Sequence, residues 1–308
     1  MALQFIFGSS GSGKSHSLYK KIIEEAAKHP ERNYIVLVPE QFSMQTQKDL
    51  VEASPDHAIM NIDILSFGRL AYRVMEETGG NQKIVLDDEG KNLILRKIAG
   101  DYEDELTILR GNLKRQGYIS EVKSVISEFA QYDIREEQID AMMEQAGVGT
   151  SLYYKLSDLK KVYQGFYAYL EENYITREEI LDLLCKRVPK SAILKDSVLA
   201  LDGFTGFTPV QNRLLAELLR VCRDVKVTVT IPGSEDPYLY QGPYELFALS
   251  KEMTSRLLLI CREQKIQVKD PVWMDGKVPY RFRKNEPMAF LESHLFRYQK
   301  DRYEKKQD

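Results

Sequence analysis

Cysteine is scarce in this chain of 308 residues, and its placement excludes the common metal and disulfide frameworks. Cys185, Cys222 and Cys261 lie far apart, and no CxxC or Cys/His pair has the spacing of metal ligands. An odd number of scattered cysteines is typical of reduced thiols that pack as small apolar groups. We therefore expect a cytoplasmic protein.

Long apolar runs and an excess of positive charge are also lacking. No run approaches the roughly 18 consecutive apolar residues of a membrane span, and no signal-peptide pattern precedes Leu3. The 43 basic and 46 acidic side chains give a net charge of −3, so any contact with DNA must come from a local surface. The length fits one large domain or two ordinary ones.

A glycine-rich loop near the N-terminus carries the strongest motif. Residues 8–15 match the full G-x-x-x-x-G-K-[ST] pattern of a P-loop, with an apolar run before it and a helical pattern after it. Such a loop turns backbone N–H groups and the positive end of a helix toward phosphate oxygens. The motif predicts an ATP and Mg²⁺ site made of eight residues: Gly8, Ser9, Ser10, Gly11, Ser12, Gly13, Lys14 and Ser15. The alternative is a glycine-rich turn that matches by chance.

Within that motif, Lys14 is expected to reach the β- and γ-phosphates and the Ser15 hydroxyl to bind Mg²⁺. Asp202 directly follows a second apolar run and is the expected partner of the ion, directly or through water. Motor NTPases usually carry glutamate at the next position, but this chain has Gly203. We therefore predict that nucleotide binding is retained and hydrolysis depleted. The alternative for Asp202 is a turn or capping residue.

Apolar runs alternate with helical patterns at both ends of the chain. The predicted strands cover residues 3–7, 34–38, 58–65, 197–201 and 225–231. This alternation predicts an α/β fold with a RecA-like parallel sheet. Strand signals vanish between the two parts, which predicts an all-helical insertion. The expected domains are a discontinuous P-loop domain over 1–86 and 195–270, the insertion over 87–194, and a polar segment over 271–308 that leads to further domains.

Two segments that follow predicted strands mix amides, hydroxyls, aromatics and a basic residue. They are residues 38–43 and 65–72, and both are expected at the carboxyl edge of the sheet, where open α/β sheets bind ligands. Such a mixture suits single-stranded DNA, because aromatic rings stack on bases. On composition alone, packing is the better interpretation: Phe67 and Tyr72 as core residues and Arg69 as a solvated helix charge.

Six segments together resemble the N-terminal part of the AddB family, called RexB in some bacteria. They are 5–15 (FIFGSSGSGKS), 37–41 (LVPEQ), 66–74 (SFGRLAYRV), Gly79-Gly80, 95–98 (LRKI) and 201–209 (LDGFTGFTP). AddB is the B subunit of the bacterial ATP-dependent helicase/deoxyribonuclease. The resemblance implies a superfamily 1 helicase-like domain 1A with a helical insertion, domain 1B, and loss of motor activity in this subunit.

The resemblance also implies partners. The family forms a heterodimer with an AddA-like helicase/nuclease subunit, processes double-strand breaks for recombinational repair, and scans the emerging single strand for a recombination hotspot. Its iron–sulfur cysteines and nuclease carboxylates belong to the C-terminal part, so no iron–sulfur cluster is expected here. By position, the DNA-contacting residues are Gln41, Ser43, Phe67, Arg69, Tyr72 and Phe207. Ser43 and Tyr72 replace the more common threonine and tryptophan, which leaves the DNA sequence open.

Other classes stay open at this point. An active, DNA-stimulated motor would need a catalytic base near Asp202 and a second RecA-like lobe, and neither is visible in the sequence. A small-molecule kinase would need an Arg-rich lid, but the insertion lacks a compact arginine cluster. A scaffold with a P-loop that binds nothing is separated from the rest by titration with labelled ATP.

Overall fold

A computed structural model describes residues 1–79, 83–112, 115–171, 174–274, 276, 279–297 and 300–304 of the chain. These residues form two compact units. The first, called the sheet unit, comprises Met1–Leu70, Val188–Phe207 and Leu215–Asp308. The second, called the helical unit, comprises Ala71–Arg187 and Thr208–Leu214.

The strands are short and several are fully buried. In chain order they are Ala2–Gly8 (β1), Tyr34–Leu37 (β2), Ile62–Leu65 (β3), Ile84–Val85 (β4), Tyr174–Ile175 (β5), Val198–Leu201 (β6), Asp224–Thr230 (β7), Gln267–Val268 (β8) and Val272–Trp273 (β9). The sheet unit contains a seven-stranded sheet in the order β3-β2-β6-β7-β1-β8, with β9 also paired to β1. All of these pairs are parallel.

Helices account for most of the remaining chain. They are Lys14–Lys28 (α1), Ser43–Ala53 (α2), Phe67–Thr78 (α3), Asp88–Asp101 (α4), Gln116–Gln131 (α5), Glu136–Ala146 (α6), Ser151–Leu170 (α7), Arg177–Arg187 (α8), Pro209–Val221 (α9), Ala248–Glu263 (α10) and Glu286–His294 (α11). Short 3₁₀ turns cover Glu40–Phe42, Glu103–Glu105, Val188–Lys190 and Tyr280–Phe282. None of the helices in the described ranges has both the length and the apolar character needed to cross a membrane.

The sheet unit confirms the predicted α/β class with a parallel sheet. All four residues of β2 and of β6 are buried, as expected for central strands covered on both faces. Leu18 and Ile22 of α1 pack in the same core cluster as Val36 of β2. The strand predicted from residue 58 begins only at Ile62, because the preceding residues turn, with the Ser54 hydroxyl donating to the Ala58 carbonyl.

The helical unit has its own core. Ile94, Leu95 and Ile98 of α4 cluster with Val162 and Phe166 of α7. Two very short strands, β4 and β5, pair in parallel as a separate sheet. The expectation that residues 87–194 are entirely helical is therefore wrong at β5, since two residues are too few to show a strand period. Gly79 directly follows α3 with φ 98°, and Gly80 lies outside the described residues.

A buried carboxylate stabilises one turn of the helical unit. Asp158 on α7 is 1% exposed and accepts hydrogen bonds from the backbone N–H groups of Thr107, Ile108 and Leu109, at 2.7–3.0 Å. Three donors at the start of a non-helical segment are thereby satisfied by one side chain.

Candidate functional site

The loop between β1 and α1 follows a backbone path that favours glycine. Gly11 has φ 73° and Gly13, the residue before α1, has φ 97°, both in the left-handed region. The loop begins where β1 ends at Gly8, and Ser10 is exposed. The glycines of the predicted motif thus lie where the chain turns from the carboxyl edge of the sheet into the first turn of a helix.

The Lys14 side chain is buried over this loop. Its ammonium group donates to the carbonyl oxygens of Gly8 and Ser9, both at 2.9 Å. Within the described residues, the Ser12 hydroxyl is buried without a hydrogen-bond partner. Any residue other than glycine at position 8 would place its Cβ 2.5 Å from the Ser12 hydroxyl oxygen, which is too close. Glycine is therefore favoured at this position. Phosphate oxygens accept hydrogen bonds from a lysine ammonium group, from a free hydroxyl and from the backbone N–H groups at a helix N-terminus.

Asp202 directly follows β6 and lies against the start of α1. Its Oδ1 accepts the Ser15 hydroxyl at 3.0 Å and the Thr228 hydroxyl at 2.5 Å. Its Oδ2 accepts the Tyr19 hydroxyl at 2.5 Å. The fold therefore brings Ser15 and Asp202, which are 187 positions apart, into direct contact. The carboxylate is 5% exposed, and three hydroxyl donors compensate for its burial.

Two of these donors, Tyr19 and Thr228, are absent from the residues selected by sequence. Tyr19 looks like an ordinary apolar position of an amphipathic helix, and Thr228 lies in an alternating strand. The decisive signal is register: Leu201 pairs with Val227, which puts Asp202 beside Thr228. Burial first, and then the negative charge of Asp202, raise the pKa of the Tyr19 phenol, so it stays protonated and donates.

A cavity of about 460 Å³ opens beside the loop. Lys14, Ser15 and His16 line it from α1, and Arg281 lines it from the C-terminal part of the chain. The Arg281 backbone N–H donates to the Gly11 carbonyl at 3.0 Å, which fastens this later segment to the loop. A larger cavity of about 990 Å³ borders the same loop at Ser9.

The polar residues expected to contact DNA differ in exposure. Gln41 and Arg69 are exposed on the sheet unit. Ser43 is buried at the start of α2, and its hydroxyl donates to the Glu40 carbonyl at 2.7 Å. Gln41 and Arg69 thus present free surface, whereas the Ser43 hydroxyl is used inside the turn.

Three of the aromatic residues that follow strands of the sheet unit, Phe67, Phe204 and Phe207, pack on each other. Phe67 is 7% exposed, and its ring centre lies 5.4 Å from that of Phe204 and 6.2 Å from that of Phe207. Phe204 and Phe207 are half-buried and in mutual contact at 5.1 Å. Phe67 therefore lies behind the other two rings. Tyr72, which belongs to the helical unit, is 54% exposed.

Sequence comparison supplies the family. A sequence model of the family described as "ADDB, N-terminal" matches residues 5–292. Three similar proteins are each named as the B subunit of an ATP-dependent helicase/deoxyribonuclease. The one from Lachnoclostridium phytofermentans is 43% identical over 100% of this chain, that from Thermoanaerobacter sp. 35% over 97%, and that from Clostridium kluyveri 32% over 99%. This chain belongs to the AddB family.

The chain corresponds to the N-terminal AddB region and spans only 27%, 26% and 26% of the length of these three AddB relatives. The matched range, residues 5–292, contains the loop from Gly8 to Ser15, Asp202 and the Phe67–Phe204–Phe207 cluster. Sequence reasoning does not select Phe204, although it lies beside Gly203 in a segment that carries the AddB resemblance.

Proposed function

We propose that this AddB region binds ATP together with Mg²⁺ at the loop of residues 8–15. The observation that carries the proposal is the 3.0 Å hydrogen bond from Ser15 Oγ to Asp202 Oδ1. It joins the hydroxyl that the motif assigns to Mg²⁺ with a carboxylate at the carboxyl edge of a parallel sheet, where ligands of such sheets bind. The similar proteins are named as subunits of an ATP-dependent helicase/deoxyribonuclease.

Each group has a definite task in this proposal. Backbone N–H groups of the loop and of the first turn of α1 bind phosphate oxygens. Lys14 would supply a positive charge to the terminal phosphates. Its ammonium group would then donate to phosphate oxygens instead of to the Gly8 and Ser9 carbonyls. Ser15 Oγ would hold Mg²⁺ while its proton remains in the hydrogen bond to Asp202. Mg²⁺, when bound, neutralises charge on the phosphates.

Hydrolysis is proposed to be slow. Asp202 is followed by Gly203, which has no side chain to orient an attacking water. The three hydroxyl donors around Asp202 hold that carboxylate in place but provide no second base. The site thus supports binding better than turnover, in line with a helicase-like subunit that does not act as the motor.

The second part of the proposal is contact with single-stranded DNA and a share in recombination-hotspot recognition, in a complex with an AddA-like partner. On the sheet unit, exposed Gln41 and Arg69 offer polar contacts, and half-buried Phe204 and Phe207 offer ring faces. Phe67 supports these rings from behind. Ser43 shapes the turn that presents Gln41. Tyr72, exposed in the helical unit, is a separate proposed contact.

The nucleotide site is tested by titrating a fluorescent ATP analogue with and without Mg²⁺. Lys14→Ala should weaken Mg²⁺-dependent binding at least about tenfold, because a charge-assisted contact worth ~1.4 kcal/mol or more is lost. Lys20→Ala, which removes an exposed lysine of the same helix, is the matched control and should bind normally. Unchanged affinity in Lys14→Ala would show that the loop does not bind phosphate.

The DNA surface is tested in the full two-subunit enzyme, with unwinding and hotspot response measured separately. Phe207→Ala should cost about 1–3 kcal/mol in single-strand affinity if the ring stacks on a base. Arg69→Ala should abolish the hotspot response while unwinding continues. Arg220→Ala, at an exposed arginine near the carboxyl end of α9, is the control. A full hotspot response in both site variants would assign these residues to packing alone.

A further inference from the structure

The Asp202 carboxylate is nearly saturated by the protein itself. A carboxylate offers about four lone-pair positions. The hydroxyls of Ser15 and Thr228 take both positions on Oδ1, and the Tyr19 phenol takes one on Oδ2. Counting donors from the described residues, one position on Oδ2 is left for a group outside the chain. Asp202 is thus arranged to accept one further hydrogen bond rather than to surround an ion.

Tyr19 donates to the Asp202 oxygen that Ser15 does not contact, so the two donors together fix the orientation of the carboxylate. It lies four residues after Ser15, so the two side chains share one face of α1 and reach the two oxygens of the same carboxylate. The Tyr19 ring is 6% exposed within the core cluster of the sheet unit, which restricts its movement. The Thr46 hydroxyl, 3.4 Å from the Tyr19 hydroxyl, holds it from α2.

We propose that Tyr19 is a positioning residue that sets the cation requirement of the nucleotide site. Its phenol prevents rotation of the Asp202 carboxylate, so that Asp202 acts on the ion only through the Ser15 hydroxyl and through one hydrogen bond from the ion's hydration shell. Such an arrangement favours Mg²⁺, which keeps several of its waters, over Ca²⁺, which takes carboxylate oxygens directly. This inference rests on the proposed nucleotide site.

The test is Tyr19→Phe, which keeps the ring and removes the hydroxyl. Binding of a fluorescent ATP analogue is measured in EDTA and then with Mg²⁺ or Ca²⁺ added in steps. The Mg²⁺ concentration for half-maximal binding should rise about 10-fold, the size of effect seen when an outer-shell partner of a metal site is lost. Affinity in EDTA should stay unchanged, and the preference for Mg²⁺ over Ca²⁺ should shrink.

Tyr34→Phe is the matched control. Tyr34 is a buried tyrosine at the first residue of β2, at the opposite edge of the same sheet from Asp202, and its hydroxyl lies near Arg32. This variant should keep the wild-type Mg²⁺ requirement. A merely structural role for Tyr19 would instead lower affinity equally in EDTA and in Mg²⁺, and that result would overturn the inference, as would an unchanged Mg²⁺ requirement.

Two further results, no nucleotide binding by the wild-type chain and a Tyr19→Phe variant that does not fold, can be distinguished from those above. If the wild-type chain binds no nucleotide, the proposed function fails before any variant is compared, and the inference fails with it. If Tyr19→Phe does not fold, Thr228→Val takes its place, since it releases Oδ1 of the same carboxylate. A raised Mg²⁺ requirement in Thr228→Val supports control by carboxylate orientation, and a wild-type requirement overturns it.

Discussion

Substituting the loop glycines one at a time separates two physical reasons for their presence. Gly11 and Gly13 both have positive φ, 73° and 97°. A Cβ on Gly11 would lie 2.9 Å from Arg281 Cβ and 3.2 Å from the Phe282 ring, whereas a Cβ on Gly13 would meet no atom within 4 Å. Both positions therefore have the left-handed backbone conformation, but only a side chain at position 11 would also clash with its neighbours.

The magnitudes follow from this difference. An alanine in the left-handed region costs about 1–2 kcal/mol, so Gly13→Ala should lose about that much stability. Overpacking typically costs a further ~1–3 kcal/mol, so Gly11→Ala should lose about 2–5 kcal/mol in total. The chain has one tryptophan, Trp273, whose ring packs 4.8 Å from that of Phe7 on β1. Its fluorescence therefore reports unfolding of the sheet unit in urea.

The comparison has a clear refuting result. Equal losses of stability in Gly11→Ala and Gly13→Ala would show that the turn at Tyr280–Phe282 does not press against the loop in solution. Losses that differ in the opposite order would contradict the steric reasoning altogether.

Four other predictions can be checked on the same protein. Asp158→Ala should lose about 3–5 kcal/mol of stability in urea unfolding followed by far-UV circular dichroism, which reports the helices, because buried N–H groups lose their acceptor. Asp140→Ala, at a half-exposed ion pair, should lose under about 1 kcal/mol by the same measurement. Phe67→Ala should cost about 3–5 kcal/mol in the same assay, because the ring is buried. Burial raises the pKa of the Cys222 thiol to about 11, so iodoacetamide at pH 8 should label it only after unfolding, as mass spectrometry would show. Gly203→Glu should leave ATP hydrolysis, which we propose to be slow, without stimulation by DNA.

Local motifs predict the strand-to-helix turn beside the candidate site, because their rules depend only on neighbouring residues. The glycine pattern of residues 8–15 marks a strand-to-helix turn, and the structure has β1 and α1 on either side of it. The carboxyl ends of parallel strands share an edge, which points to Asp202 after β6, and the structure puts its Oδ1 3.0 Å from Ser15 Oγ. Both selections needed only strand order along the chain and the side chains at strand ends.

Features that depend on register or on very short elements were not predictable. Thr228 reaches Asp202 only because β6 and β7 pair as they do, and nothing in the sequence states which strands are neighbours. Tyr19 has the spacing of a core residue, and its hydroxyl matters only once Asp202 is beside it. Strands β5, β8 and β9 have two residues each, too few for an alternation to be recognised.

Gly203, where motor NTPases usually carry glutamate, has a backbone conformation that opposes any side chain. Its φ is 78°, where a glutamate would be strained by about 1–2 kcal/mol. A Cβ there would meet Pro39 Cδ at 3.6 Å and Phe42 Cδ2 at 3.8 Å, which is ordinary contact, so conformation rather than space opposes a side chain.

A carboxyl group introduced at position 203 should therefore not be enough, by itself, to give rapid ATP hydrolysis. Gly203→Glu should either keep the left-handed backbone, which aims the side chain differently from an extended residue, or relax and disturb Asp202 next to it. The expected result is a loss of about 1–2 kcal/mol in stability with ATP turnover still far below the roughly 1–100 s⁻¹ of competent phosphoryl-transfer enzymes. A DNA-stimulated rate in that range, at unchanged stability, would show that the missing side chain was the only obstacle to hydrolysis.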